Sequence, residues 1–241
     1  MSDLQVDHGP YGALRIRFDA PARRNALTLE TVQHLHQVLA DTPEQALLLG
    51  STTDGIFSAG ADLDTDRSSR AQLSDLLYAC YEQLVTRPGV VLAVVQGPAV
   101  GGGAQLSTAA DIRLISQAAR WRWTGPGHGL AVGAWILPDL VGRSRGLQLA
   151  LTSRWLDAAE AVAIGLAARI DTAPWKQAED LVRRLADADA DALARIKRVA
   201  SAPHVLARLA LERSTNRELW SGSAPTAHRA AADGRDLPAI T

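Results

Sequence analysis

The chain of 241 residues has one cysteine, Cys80, which excludes an intramolecular disulfide framework and a CxxC metal site. Cys80 falls on the apolar side of a helical pattern and reads as an inert buried thiol. Charge of one sign is also lacking. The 25 Lys and Arg against 26 Asp and Glu leave a net charge of −1, with no lysine cluster, so nothing argues for nucleic acid. The longest apolar run, residues 89 to 95, is far too short to cross a membrane. Residues 1 to 7 carry no basic segment followed by an apolar one, so the expectation is a cytoplasmic protein without a signal peptide. With 47% hydrophobic residues, the length suffices for one sizeable core or one domain with an appended element.

Periodicity supplies the elements. Leu14, Ile16 and Phe18 alternate with Arg15 and Arg17 as in a half-buried strand, and Thr28 is placed to cap a helix with Val32, Leu35 and Leu39 on one face. Short apolar runs at 46–50, 90–95 and 111–115 read as strands. A helix is expected over 71–87, stopped by Pro88-Gly89, and another ends near residue 110. This alternation argues for an α/β layered fold. Beyond Pro138 the helical spacing dominates, over 144–151, 157–165, 175–185, 189–200 and 204–220, before an Ala-rich tail from Ser221. The division expected is an α/β core over 1–190 and an all-helical part over 191–241.

Two glycine-bearing segments, Phe57-Ser58-Ala59-Gly60-Ala61-Asp62-Leu63 and Gln96-Gly97-Pro98-Ala99-Val100-Gly101-Gly102-Gly103-Ala104-Gln105, each follow an expected strand. Small residues let a backbone approach a ligand with its amides free, and two amides aimed at one point form an oxyanion hole. The glycine triplet lacks the spacing of a dinucleotide fingerprint, and no Gly-Lys-Ser/Thr makes it a P-loop. A tight turn that only packs a helix against a strand is the alternative. Trp121 and Trp123 share a face of an apparent strand and could fill core or line a pocket.

In order and spacing, Pro21-Ala22-Arg23-Arg24-Asn25-Ala26-Leu27, the two glycine segments, Ala110-Asp111-Ile112-Arg113, Leu137-Pro138-Asp139-Leu140-Val141-Gly142-Arg143 and the stretch from Leu151 to Leu166 resemble the signature blocks of the enoyl-CoA hydratase/isomerase (crotonase) superfamily. The resemblance covers nearly the whole chain. It implies a spiral of ββα turns with a C-terminal helical oligomerisation region, a homotrimer or dimer of trimers, an acyl-CoA thioester as ligand, and no tightly bound cofactor or metal. It also implies that the amides of Ala61 and Gly102 form the oxyanion hole. Arg23 and Arg24 would lie near the CoA phosphates, and Ala59, Asp62 and Leu63 would flank adenine and pantetheine. By themselves the two arginines read as a solvated turn pair.

The sequence departs from the family where a hydratase carries its two glutamates. The first position is Gln105, which can hold a water or ligand by hydrogen bonds but cannot take a proton near pH 7. The second is Gly125 or Gly127, depending on the alignment. Four readings follow: an acyl-CoA-binding member without hydration; an enzyme of the superfamily performing isomerisation, decarboxylation or thioester hydrolysis with a relocated base such as His128; a hydratase drawing carboxylates from Asp64 or Asp66; and a non-catalytic oligomeric scaffold. Asp139 has no evident chemical role. Ser58 has no His–Asp partner order, which argues against a hydrolase triad.

Overall fold

The computed structural model describes residues 3–201 and 203–221, so most of the Ala-rich tail lies outside the described residues. The alternating segment forms strand β2 (Leu14–Phe18), with its apolar residues buried and Arg15 and Arg17 partly exposed. A strand that periodicity did not reveal, β1 (Leu4–His8), pairs antiparallel with it. It is an edge strand with only Leu4 buried, so it carries little apolar pattern.

β2 runs parallel to β4 (Leu47–Ser51), β4 to β6 (Val91–Val95), and β6 to β8 (Ile112–Ile115), giving a five-stranded sheet ordered β1-β2-β4-β6-β8. β4 and β6 are buried along their whole length, because helices cover both faces of a parallel sheet. Leu48, Leu92, Val94 and Leu114 pack against Ala178 and Val182 of α7 (Pro174–Ala186). The alternate residues Leu47, Leu49, Val91, Ala93 and Val95 join the larger core with α1 (Leu29–Asp41), α2 (Arg67–Thr86) and α3 (Gly102–Ala109). α1 begins as expected: the Thr28 hydroxyl accepts from Thr31 N at 3.1 Å, leaving Val32, Leu35 and Leu39 buried. α2 begins four residues earlier than periodicity placed it, because Asp66 caps it by accepting from Ser68 N at 2.8 Å and Ser69 N at 3.0 Å.

Short strands lie off the main sheet. β3 (Ala26–Leu27) pairs parallel with β5 (Gly60–Ala61); β9 (Arg120–Arg122) lies between β7 (Pro98–Val100) and β10 (Leu156–Asp157). With α4 (Leu137–Val141), the order then repeats as β2-β3-α1, β4-β5-α2, β6-β7-α3 and β8-β9-α4. Each repeat is a long strand, a short strand in a second layer, and a helix, which is the expected ββα spiral. The remaining helices are α5 (Arg143–Thr152), α6 (Ala158–Ala163), α8 (Ala190–Ala200) and α9 (Pro203–Ser221). α9 lies against α2, where Arg213 grips both oxygens of Asp75 at 2.7 and 2.8 Å. Asp139 gains a structural role from the same helix, with Arg208 at 2.6 Å and His204 at 3.0 Å.

Candidate active site

The fold brings the two glycine segments side by side. Phe57 N and Val100 N exchange bonds across them, to Pro98 O at 3.0 Å and Ser58 O at 2.9 Å. Glycine is required at the contact. Gly60 has φ +91°, and a Cβ there would stand 2.6 Å from Val100 O; a Cβ on Gly103 would stand 2.7 Å from the Ser58 side chain. The buried Ser58 hydroxyl donates to Asn25 O at 2.7 Å and accepts from Gly60 N at 3.1 Å. Asn25 in turn ties the preceding block to this one through Ser51 Oγ at 2.8 Å and Phe57 O at 3.1 Å.

Ala61 and Gly102 are the residues that border this contact. Asp62 N donates to Leu27 O at 2.9 Å. In an extended strand the preceding amide, that of Ala61, faces the other way. Gly102 opens α3, so its N–H is one of the helix's orphan donors at the positive end of the dipole. Ala61 and Gly102 line the same cavity, of about 70 Å³. Leu73, Leu77, Tyr78 and Tyr81 of α2 line it together with Leu130, Val132, Arg70 and Trp220. The α2 residues reach it together because they are spaced three and four apart on one helix face.

Gln105 also lines the cavity, but its oxygen is turned inward. It accepts from Trp135 Nε1 at 2.7 Å and Gly133 N at 3.1 Å. Trp135 stacks on Tyr81 with ring centroids 6.0 Å apart, and Tyr81 and Tyr78 meet edge to face at 5.4 Å. Beside them lies a carboxylate that motif reasoning did not find: Glu212 of α9, 5% exposed. Its Oε1 accepts from the Tyr78 hydroxyl at 2.7 Å and Gly133 N at 3.2 Å, and its Oε2 accepts from Trp135 N at 3.0 Å. Burial pushes its pKa up to about 7, against the opposing effect of these hydrogen bonds. Burial and the Glu212 charge together push the Tyr78 hydroxyl well above the usual phenol range. Asn216, one turn on, donates to the Tyr78 oxygen at 2.8 Å.

The other expected residues are dispersed. Asp62 and Leu63 line the cavity, and Ala59 N donates to Arg24 O at 2.9 Å, which sets Arg24 next to the first glycine segment. Arg23 is exposed and paired with Asp3. His128 is exposed on the single turn Pro126–His128 and does not line the cavity; partial burial and Arg70 lower its pKa. Asp64 is exposed, and Asp66 is occupied as the α2 cap. Trp121 and Trp123 are both fully buried core residues. Cys80 is buried, its pKa pushed up to about 12 by loss of solvation. Among the described residues, no cluster of His, Cys, Asp or Glu could hold a metal ion, and no helix is long and apolar enough to cross a membrane.

The sequence pattern of the enoyl-CoA hydratase/isomerase family matches residues 9–234. The chain belongs to that family. It is 32% identical over 168 residues to the "Probable enoyl-CoA hydratase echA6" of Mycobacterium leprae, covering 66% of this chain and 68% of the relative. It is also 33% identical over 183 residues to 4-chlorobenzoyl coenzyme A dehalogenase-1 of an Arthrobacter species, covering 69% of this chain and 65% of the relative. Among solved structures, an enoyl-CoA hydratase from Mycobacterium avium subsp. paratuberculosis superimposes with a TM-score of 0.80 at 26% identity, covering 92% of each chain. One from Bacillus halodurans gives 0.81 at 21% identity, covering 92% of this chain and 96% of that one. Membership thus spans relatives named for different reactions, so the reaction of this chain has to be argued from its own site.

Proposed function

We propose that this member of the enoyl-CoA hydratase/isomerase family binds an acyl-CoA thioester without hydrating it, the thioester oxygen lying between the N–H groups of Ala61 and Gly102. The observation that carries this reading is that both residues line one largely apolar cavity, while the residues at the family's two glutamate positions bring no carboxylate to it. The Gln105 oxygen is engaged by Trp135 and Gly133, so even its capacity to hold a water is largely used. The Asp62 carboxylate accepts from Asp64 N at 3.0 Å within its own turn.

Arg24, beside the first glycine segment, and Arg70, at the cavity, supply positive charge for the CoA phosphates, with Arg23 on the same exposed turn. Ala59, Asp62 and Leu63 flank the adenine and pantetheine. The C-terminal part, 191–241, serves as an oligomerisation region. Ile196 and Val199 of α8 are 67% and 79% exposed, as an unpaired contact face would be. Calorimetric titration with crotonyl-CoA, followed by analysis of the same sample for 3-hydroxybutyryl-CoA, tests the reading. Binding without product is expected; turnover on the order of 10 per second would overturn it.

A further inference from the structure

Tyr78, Tyr81, Gln105 and Asn216 are the buried polar side chains that line the cavity, and they are spent on one another and on the backbone. Gln105 accepts from Trp135 Nε1 and Gly133 N and is hydrogen-bonded to the Tyr78 and Tyr81 oxygens. The Tyr78 hydroxyl donates to Glu212, accepts from Asn216 Nδ2 and lies 3.3 Å from Ala131 O. Asn216 closes this lattice: its oxygen accepts from Ala131 N at 2.9 Å, and its amide also donates to Ala131 O at 2.8 Å. The Tyr81 hydroxyl donates to Gly102 O at 3.4 Å, so it is engaged both as donor and as acceptor. Asp62, Arg70 and Ser74 also line the cavity, but they are partly exposed, and a ligand hydroxyl beside them keeps the solvent partners it had before binding. The surroundings of Gly102 are different. A Cβ there would have Leu77 Cδ1 at 3.2 Å, Leu27 Cδ1 at 3.4 Å and the Tyr81 oxygen at 3.4 Å as its nearest neighbours.

We propose that this site selects a short, unsubstituted hydrocarbon acyl group and rejects the 3-hydroxyacyl thioester that hydration would yield, with Tyr81 and Leu77 as the residues that set the two limits. This rests on the thioester-binding reading above. With the carbonyl oxygen beside the Gly102 amide, the first acyl carbons lie among the Leu27 and Leu77 methyl groups and the Tyr81 hydroxyl. A hydroxyl on the third carbon enters there stripped of water, and the engaged Tyr81 hydroxyl gives it nothing in exchange. An apolar site without a partner rejects an added hydroxyl by roughly 10–100-fold. Length is limited by volume. At roughly 10–15 Å³ for each water-sized occupant, the cavity of about 70 Å³ takes about five, which is the number of heavy atoms in a butyryl group. In an open apolar channel each further methylene would add affinity. Here a longer chain meets the buried Leu77, and forcing extra methylenes into packed surroundings is unfavourable.

Calorimetric titration with butyryl-CoA, both enantiomers of 3-hydroxybutyryl-CoA, and hexanoyl-CoA reads the two limits. The wild type is expected to bind butyryl-CoA, to bind either hydroxy compound about 10–100-fold more weakly, and to bind hexanoyl-CoA at least about 10-fold more weakly. Tyr81→Phe leaves a gap beside Gly102 and frees the Gln105 amide, so the ratio of hydroxybutyryl to butyryl dissociation constants should fall below about fivefold. Leu77→Ala makes room for the longer chain, so the hexanoyl ratio should fall below about threefold. Circular dichroism checks that each variant is folded; for one that is not, the wild-type ratios decide. A wild type that binds a hydroxybutyryl thioester or hexanoyl-CoA as tightly as butyryl-CoA would overturn the selectivity. Unchanged ratios in the folded variants would overturn the roles given to Tyr81 and Leu77. A wild type that binds none of these thioesters would instead overturn the thioester-binding reading, and the selectivity would fall with it.

Discussion

Replacing Glu212 by glutamine should change how stability depends on pH, by an amount that follows from burial. The carboxyl has a pKa of about 7 in the folded chain against 4.5 when solvated. Between those values the native state holds a proton that the unfolded state has released, so wild-type stability falls as pH rises through that window and levels off above 7. The full shift corresponds to about 3 kcal/mol. From pH 5 to pH 8 the part expressed is about 2.5 kcal/mol, because the unfolded carboxyl is already partly ionised at pH 5. Glutamine does not titrate. The difference in unfolding free energy, variant minus wild type, should therefore grow by about 2.5 kcal/mol between pH 5 and pH 8, whatever its absolute value. Taking the difference removes titrations common to both proteins. Urea denaturation at the two pH values, with equal m-values, supplies the measurement. A difference independent of pH would mean that Glu212 is solvated, and the burial argument would be wrong.

Other substitutions probe the site and its supports. Gly103→Ala forces a Cβ to within 2.7 Å of Ser58 and should destabilise the fold by about 1–3 kcal/mol, with weaker butyryl-CoA binding as the two segments separate; thermal unfolding and calorimetry report both. Trp135→Phe removes the donor at 2.7 Å from the buried Gln105 oxygen and should lower the urea-derived stability by about 1–3 kcal/mol. Lys197 is buried and bonded to Asp111 at 2.8 Å and to the carbonyls of Leu84 and Gly89, so Lys197→Met should lower the unfolding free energy by about 3 kcal/mol or more. His128→Ala should leave crotonyl-CoA affinity nearly unchanged in a calorimetric titration, because His128 lies outside the cavity.

The frame of the site was legible in sequence because it is local. Alternation marked β2, apolar runs marked β4 and β6, Thr28 marked the start of α1, and the glycine segments marked where two backbones must meet. Glu212 and Tyr78 escaped because what they do depends on partners more than 130 positions away in sequence. A signal was nonetheless present. Val205, Leu209, Glu212 and Asn216 follow one another at helical spacing on a single buried stripe of α9. Two polar residues on a core-facing stripe require buried partners, and Tyr78, Ala131, Gly133 and Trp135 are those partners. Motif matching directs attention to the usual glutamate positions and away from that stripe. The pair of indoles shows the opposite limit: spacing placed Trp121 and Trp123 on one face, but only tertiary packing shows that both are core.

The central claim, that this chain holds a thioester carbonyl without adding water across the neighbouring double bond, is tested most directly by the ultraviolet absorption of crotonyl-CoA mixed with excess protein. Polarisation of the carbonyl by the Ala61 and Gly102 amides predicts a band that shifts to longer wavelength and then persists. A band that decays as the conjugated double bond is hydrated, or one that never shifts, would contradict the account.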